Sequence, residues 1–112
     1  MATRKKTGMQ AGEVSNLKEL VDYGEASVVS RILIKDKAGS VTLFAFDTDQ
    51  ELSEHTSPYN AFIQVIDGVG EFIIDGKSSQ VTEGQVILLP ANIPHAVNAE
   101  SPFKMMLVMI RK

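Results

Sequence analysis

From Ser27 onward the chain alternates hydrophobic with polar residues or gathers hydrophobic residues in short runs. Alternation with a period of two is typical of a half-buried β-strand, and a short apolar run between turn residues is typical of a buried one. The pattern predicts strands over the following segments: Ser27–Ile34, Ser40–Phe46, Phe62–Ile66, Glu71–Ile74, Gln80–Val81, Gln85–Leu89, His95–Ala99 and Lys104–Ile110.

Turn-forming residues separate these strands. Asp-Gly, Glu-Gly, Ala-Gly and Asn-Ile-Pro sequences recur between the hydrophobic segments, as the tight connections of antiparallel strands require. One helical pattern precedes them, over Asn16–Tyr23, where Leu17, Leu20 and Val21 recur at helical spacing before Gly24. Many short strands at near-even spacing predict an all-β sandwich or barrel with one short N-terminal helix.

Two of the predicted strands are hydrophobic on both faces. Val86–Leu89 and Met105–Ile110 contain no polar residue, whereas a strand in a single barrel needs only one apolar face. A helix, the terminal arm or another subunit must cover the second face. We favour a homodimer.

The length of the chain predicts a single domain, and its charge and hydrophobic pattern argue against nucleic-acid and membrane partners. The 112 residues make one domain over 12–112, with 1–11 as a flexible or docking arm. Eleven basic and fourteen acidic residues give a net charge of -3, so nucleic acid is not an expected partner, and the basic cluster Arg4–Lys6 is interpreted as a solvated end. No apolar run reaches the length of a membrane span, and no leader pattern follows the first residues, so we expect no membrane partner and a cytoplasmic protein.

The available chemistry is limited to imidazole, carboxylate and hydroxyl groups. The chain has no cysteine, which excludes disulfides, thiol nucleophiles and thiolate metal sites. Its two histidines, His55 and His95, each lie beside a proline-containing turn at the end of a predicted strand. They are the first candidates for a functional site.

Around these histidines the sequence resembles the cupin superfamily, whose members are double-stranded β-helix, or jelly-roll, barrels. The family carries two motifs, approximately G-x5-H-x-H-x3-E-x6-G and G-x5-P-x-G-x2-H-x3-N. The residues that match them at the correct spacing are His55, Gly68, Gly84, Pro90 and His95. The positions that depart from them are Asp49, Ser57, Ala61, Asn92 and Ala99. The resemblance implies a cupin, RmlC-like barrel with an internal pocket.

The resemblance also implies a metal centre built from histidines and a carboxylate, with open positions for substrate or oxygen. This chain keeps two imidazoles, but Ala61 cannot donate a lone pair and Ser57 is a poor ligand. Two histidines with waters, or with Gln64, Tyr59 or a residue of another chain, can still hold Zn, Fe, Mn or Ni. If Ala61 faces the interior, Gln64 faces away unless a bulge intervenes.

Three functions follow as hypotheses. The first is a small-molecule-binding cupin whose pocket is lined by His55, His95, Gln64, Tyr59 and Phe46, with no reaction assigned. The second is a metal-dependent enzyme, dioxygenase- or isomerase-like, acting on a small organic substrate. The third is a dimeric interaction module without catalysis.

Overall fold

A computed structural model describes residues 8–111. Within that range the chain forms one turn of 3-10 helix, Leu17–Leu20, followed by nine strands. The strands are β1 (Val28–Asp36), β2 (Gly39–Phe46), β3 (Glu51–His55), β4 (Asn60–Asp67), β5 (Val69–Ile74), β6 (Lys77–Thr82), β7 (Val86–Leu89), β8 (His95–Asn98) and β9 (Phe103–Ile110). The all-β prediction is therefore confirmed.

The strands form two antiparallel sheets that face each other. A five-stranded sheet has the order β1-β2-β9-β4-β7, and a four-stranded sheet has the order β3-β8-β5-β6. Sequence neighbours such as β3 and β4 lie in different sheets, which is the arrangement of a jelly roll. The inward-facing side chains of both sheets make the main hydrophobic core, which includes Phe46, Phe72 and Phe103.

We call the end of the barrel at which β3 ends and β8 begins the mouth. Because the paired strands are antiparallel, several of the turns that connect them lie at this end. Strands β3, β5, β7 and β9 end there, and β4, β6 and β8 begin there. The turn Asp75–Gly76 is held to the β7–β8 connection by a hydrogen bond from the Asp75 amide to the Pro94 carbonyl, at 2.8 Å. The mouth is thus a set of short, mutually bonded loops.

The N-terminal segment, residues 8–27, packs on the outer face of the five-stranded sheet. The predicted helix over Asn16–Tyr23 is wrong in extent: only one 3-10 turn forms, Asn16 provides no side-chain cap, and the backbone is extended again at Val21. Val21 is buried in a second core with residues of the sheet, which are Leu33, Leu43, Ala45 and Ile66. Packing of Val21 against the sheet therefore outweighs a weak helical preference.

A buried lysine helps to hold this segment. Lys104 of β9 lies on the outer face, where its Nζ donates a hydrogen bond to the Lys18 carbonyl at 2.6 Å and sits 4.9 Å from the ring centre of Tyr23. The Tyr23 hydroxyl donates to Asp67 at 2.7 Å, and burial together with this carboxylate raises the pKa of Tyr23. The phenol is therefore protonated at neutral pH and able to donate.

The remainder of the outer face leaves hydrophobic side chains exposed. Phe62, Val86, Leu88 and Ile110 are 42 to 61% exposed on the half of the sheet that contains the edge strand β7. The N-terminal segment thus covers part of the second apolar face, and a homodimer that covers the rest stays a prediction.

The basic cluster Arg4–Lys6, and all of the predicted arm before residue 8, lie outside the described residues. At the start of that range, the Gly8 amide donates to the Ile32 carbonyl of β1 at 2.6 Å.

No helix within residues 8–111 has the length and hydrophobicity needed to cross a membrane.

Candidate functional site

A bulge in β3 brings the two histidines onto the same side of the sheet. Leu52 pairs with Val97 of β8, but His55 pairs with His95, so that two residues of β3 lie opposite the single residue Ala96. Regular alternation from Leu52 would direct His55 outward, and the extra residue restores its inward direction. Strand β3 ends at His55, so the next motif position, Ser57, does not continue the alternation of the strand. Ser57 lies in the loop that follows.

The two imidazole rings meet through their Nε2 atoms. The Nε2–Nε2 distance is 3.1 Å, and the ring planes are 70° apart with centres separated by 4.3 Å. Each Nδ1 faces a backbone carbonyl: that of Ser53 at 2.7 Å for His55, and that of Ile93 at 3.1 Å for His95. A carbonyl oxygen only accepts a hydrogen bond, so each neutral ring carries its proton on Nδ1 and keeps a lone pair on Nε2.

Two bare nitrogen atoms at this distance repel one another. The contact becomes favourable when an electropositive atom reaches both lone pairs, whether a shared proton, the hydrogen-bond donor of a ligand or a cation. Burial lowers the pKa of His95, which is only 5% exposed; the Ile93 carbonyl opposes this shift and repulsion from His55 adds to it. His95 is therefore neutral at physiological pH, and its Nε2 is available as an acceptor or ligand.

The pair supplies part of a metal site. Two nitrogens each about 2.1 Å from one ion lie about 3.0–3.4 Å apart at tetrahedral or octahedral angles, a range that includes the observed distance. The carboxylate position of the family motif is Ala61, which faces inward on β4 and is 4% exposed. No group of three or more metal-ligating side chains converges within residues 8–111. The described residues therefore provide two ligands but not a complete protein-bound centre.

The other predicted site residues are distributed over the molecule. Tyr59 lies in the β3–β4 loop at the mouth, where its amide donates to Ser57 Oγ at 3.2 Å. Phe46 is fully buried at the end of β2, which is the opposite end of the barrel from the mouth. Gln64 lies between the inward-facing Ile63 and Val65 and so projects toward the outer face of the sheet. The structure thus brings only Tyr59 to the same end as the histidines.

Arg111 is a residue of the mouth that sequence reasoning missed. Its guanidinium carbon lies 5.3 Å from the ring centre of Tyr59, and its amide donates to the Ala38 carbonyl at 2.9 Å. The inward-facing residues of β9 include Met105, Leu107 and Met109. Arg111 is two residues after Met109 and so continues this alternation. The sequence shows the alternation, but only the observed strand register shows which of the two faces is inward.

Two cavities lie away from the histidine pair. One of about 630 Å³ is bordered by Arg31, Leu20 and the segment Gly8–Ser15. Arg31 there donates to the carbonyls of Leu20 and Gly8, at 2.9 and 3.3 Å. The other cavity, of about 230 Å³, lies beside Gly70 at the far end of the barrel. The polar chemistry of the mouth, rather than cavity size, identifies the candidate site.

An antiparallel double-sheet barrel with a histidine pair inside one mouth defines a cupin-like protein. The Cupin domain family model matches residues 42–111 of the chain. This range runs from β2 to the end of β9 and contains both histidines. The chain therefore belongs to the cupin family.

Solved structures agree with this assignment. A conserved protein of unknown function from Streptococcus pyogenes is 32% identical with a TM-score of 0.90, over 100% of this chain and 98% of that one. A cupin 2 conserved barrel domain protein from Leptotrichia buccalis is 40% identical with a TM-score of 0.84, over 87% of this chain and 47% of that one. A cupin superfamily protein from Desulfitobacterium hafniense is 22% identical with a TM-score of 0.87, over 98% and 100%. No curated protein matches.

Proposed function

We propose that this protein binds a small organic molecule at the mouth of the barrel, with His55 and His95 as its polar anchor. The observation that carries the proposal is the convergence of two Nε2 lone pairs at 3.1 Å on the inward side of the sheet. A hydroxyl or N–H group of a ligand satisfies both acceptors. Hydrophobic side chains of the core at the same end of the barrel, Ala61, Ile74, Leu89 and Met109, suit the apolar body of such a molecule.

A thermal-shift panel of small carboxylates, sugars and phenols tests this proposal. We expect at least one compound to raise the melting temperature of the wild-type protein, and His55→Ala and His95→Asn to abolish that rise. His55 is exposed, so its replacement removes an acceptor without opening a core cavity. Gln64→Ala is the matched control, since this polar side chain projects from the outer face. Stabilisation that persists in both histidine variants would place the ligand elsewhere.

A second candidate is a divalent ion held by the pair, with the bound molecule completing its coordination. The observation that favours it is that both Nδ1 atoms contact carbonyls, as is usual for metal-ligating histidines. Zn, Fe, Mn or Ni are the relevant ions, and the ion would polarise an oxygen of the substrate. Elemental analysis of protein purified without a histidine tag tests this, because metal far below one equivalent after growth with all four ions contradicts it.

We also propose that the exposed apolar face forms a homodimer. The support is the group of side chains Phe62, Val86, Leu88 and Ile110, which lie beside an edge strand. Analytical ultracentrifugation should show a dimer for the wild type and a monomer for Leu88→Asp. Gln80→Asp, on the exposed face of the other sheet, should remain dimeric. A monomeric wild type contradicts the proposal and, with it, the interaction-module hypothesis.

A further inference from the structure

Arg111 is fixed at the rim of the mouth on the sheet opposite the histidines. Its amide hydrogen bond to Ala38 extends the pairing of β9 with β2 by one residue, since Gly39 pairs with Ile110. The strand alternation is therefore maintained at this position. Arg111 consequently follows Met109 in the inward-facing row, at the rim of the barrel opening.

The aromatic ring of Tyr59 lies beside the Arg111 guanidinium. The Arg111 Cζ lies 5.3 Å from the Tyr59 ring centre, within the range of a cation–π contact. Such a contact uses the charge of the guanidinium but none of its five N–H donors. Both ion pairs within residues 8–111 involve Lys18, so the described residues place no carboxylate within 4.0 Å of Arg111. The guanidinium is positioned and still able to bind an anion.

The histidine pair and Arg111 stand on opposite walls of the same opening. His55 and His95 belong to the four-stranded sheet, and Arg111 follows β9 of the five-stranded sheet. Packed sheets lie about 10 Å apart, and the side chains of both walls extend into this gap. A molecule the size of a small organic acid therefore spans the distance between the two groups.

We propose that the ligand of the histidine pair is a small organic acid, whose carboxylate pairs with Arg111 and whose hydroxyl or N–H donor reaches the two Nε2 atoms. The inference rests on the proposed function and adds the ligand class and a specificity-determining residue. Tyr59 positions the guanidinium and provides a surface for the ligand body. The chemistry of the two walls is complementary: one accepts hydrogen bonds and the other donates them to an anion.

Lys77 is the competing anion anchor. It pairs with Ile74, which pairs with His95, so Lys77 stands in the same cross-strand row as the histidines. It is exposed on the edge strand β6, and no aromatic contact is found for it among the described residues. A flexible lysine loses more side-chain entropy on binding than an arginine already held against a ring. Arg111 is therefore the better anchor.

Isothermal titration calorimetry with three matched probes tests the inference. Para-hydroxybenzoate carries both the carboxylate and the donor, benzoate lacks the donor, and para-hydroxybenzamide lacks the charge. We expect para-hydroxybenzoate to bind most tightly to the wild type. Arg111→Ala should weaken it by about tenfold or more, the loss expected of a charged hydrogen-bonded pair, and leave para-hydroxybenzamide unchanged. Arg111→Lys should lie between them, and Lys37→Ala, which removes an exposed charge at the same end, should match the wild type.

The variants separate failure of this inference from failure of the proposed function. If para-hydroxybenzoate binds Arg111→Ala as it binds the wild type but does not bind His55→Ala, Arg111 does not bind the carboxylate. This result overturns the inference and still supports the histidine site. Loss in Lys77→Ala rather than in Arg111→Ala assigns the anchor to Lys77 and overturns the role of Arg111. Binding that is insensitive to both histidine replacements overturns both proposals. A wild type that shows no preference for the acid over the amide, or no binding of either, overturns the inference.

Discussion

Replacing Ala61 with glutamate restores the carboxylate that the family motif places opposite the histidines. Ala61 faces inward on β4 and is 4% exposed, so the new carboxyl group enters an apolar environment. A buried carboxyl can have its pKa raised by about 3 units, and each unit corresponds to about 1.36 kcal/mol. We therefore expect Ala61→Glu without metal to lose about 4 kcal/mol of unfolding free energy, which a domain with about 5–15 kcal/mol tolerates.

Metal should reverse much of this loss. In Ala61→Glu the carboxylate and the two Nε2 atoms make three ligands, and Ser57→His offers a fourth ligand, an imidazole from the loop that follows β3. A free metal concentration one hundred times the dissociation constant stabilises a protein by about 2.7 kcal/mol. For a domain of this size that corresponds to a rise in melting temperature of about 10 °C. Thermal unfolding of both variants with Zn²⁺ or Ni²⁺, and again with chelator, measures the difference.

Two controls isolate the geometry. Gln64→Glu adds the same carboxylate to the same strand but on the outer face, and we expect no metal-dependent rise. Ala61→Gln introduces a side chain of similar size without charge and should show only the packing cost. Equal metal responses in Ala61→Glu and Gln64→Glu, or no response in either Ala61→Glu or the double variant, would refute the inward convergence of Ala61 with His55 and His95.

Three further predictions concern the pH dependence and the packing of the barrel. Because the pKa of His95 is lowered, the folded protein binds fewer protons than the unfolded chain. Stability should be constant just above about pH 6.5 and fall as the pH drops below that value, and urea titrations of His95→Asn should lack the first part of this decline, before carboxylates such as Asp47 and Glu71, whose pKa values are also lowered, take up protons. Gly70→Ala places a Cβ 2.6 Å from a ring carbon of the fully buried Phe103, so it should cost about 1–3 kcal/mol in urea unfolding. Phe103→Leu should partly relieve that cost in the double variant, and strict additivity would contradict the clash. Lys104→Met removes the hydrogen bond to Lys18 and should accelerate amide hydrogen exchange of residues 17–23 while leaving the barrel strands protected. Equal acceleration throughout the chain would indicate global destabilisation instead.

The alternation of hydrophobic and polar residues was sufficient to predict most of the barrel. Strands such as β2 and β9 bury one or both faces, so hydrophobic residues occupy their buried positions and the strand can be predicted from the sequence. Strand β3 was missed because its sequence, ELSEH, has a single hydrophobic residue and four exposed ones. The helix was predicted too long because helical spacing of Leu17, Leu20 and Val21 also fits a segment that packs on a sheet.

The sequence alone determined the family, the residue types available for chemistry and the identity of the two histidines, because these depend on local pattern and spacing. Only the tertiary structure decided that the histidines meet, since this requires a bulge in β3 opposite Ala96, and bulges depend on strand pairing rather than on periodicity. It also decided that Arg111 reaches Tyr59 at the mouth. Contacts between residues this far apart in the chain depend on which strands share a barrel end, and that is a property of the assembled sheets.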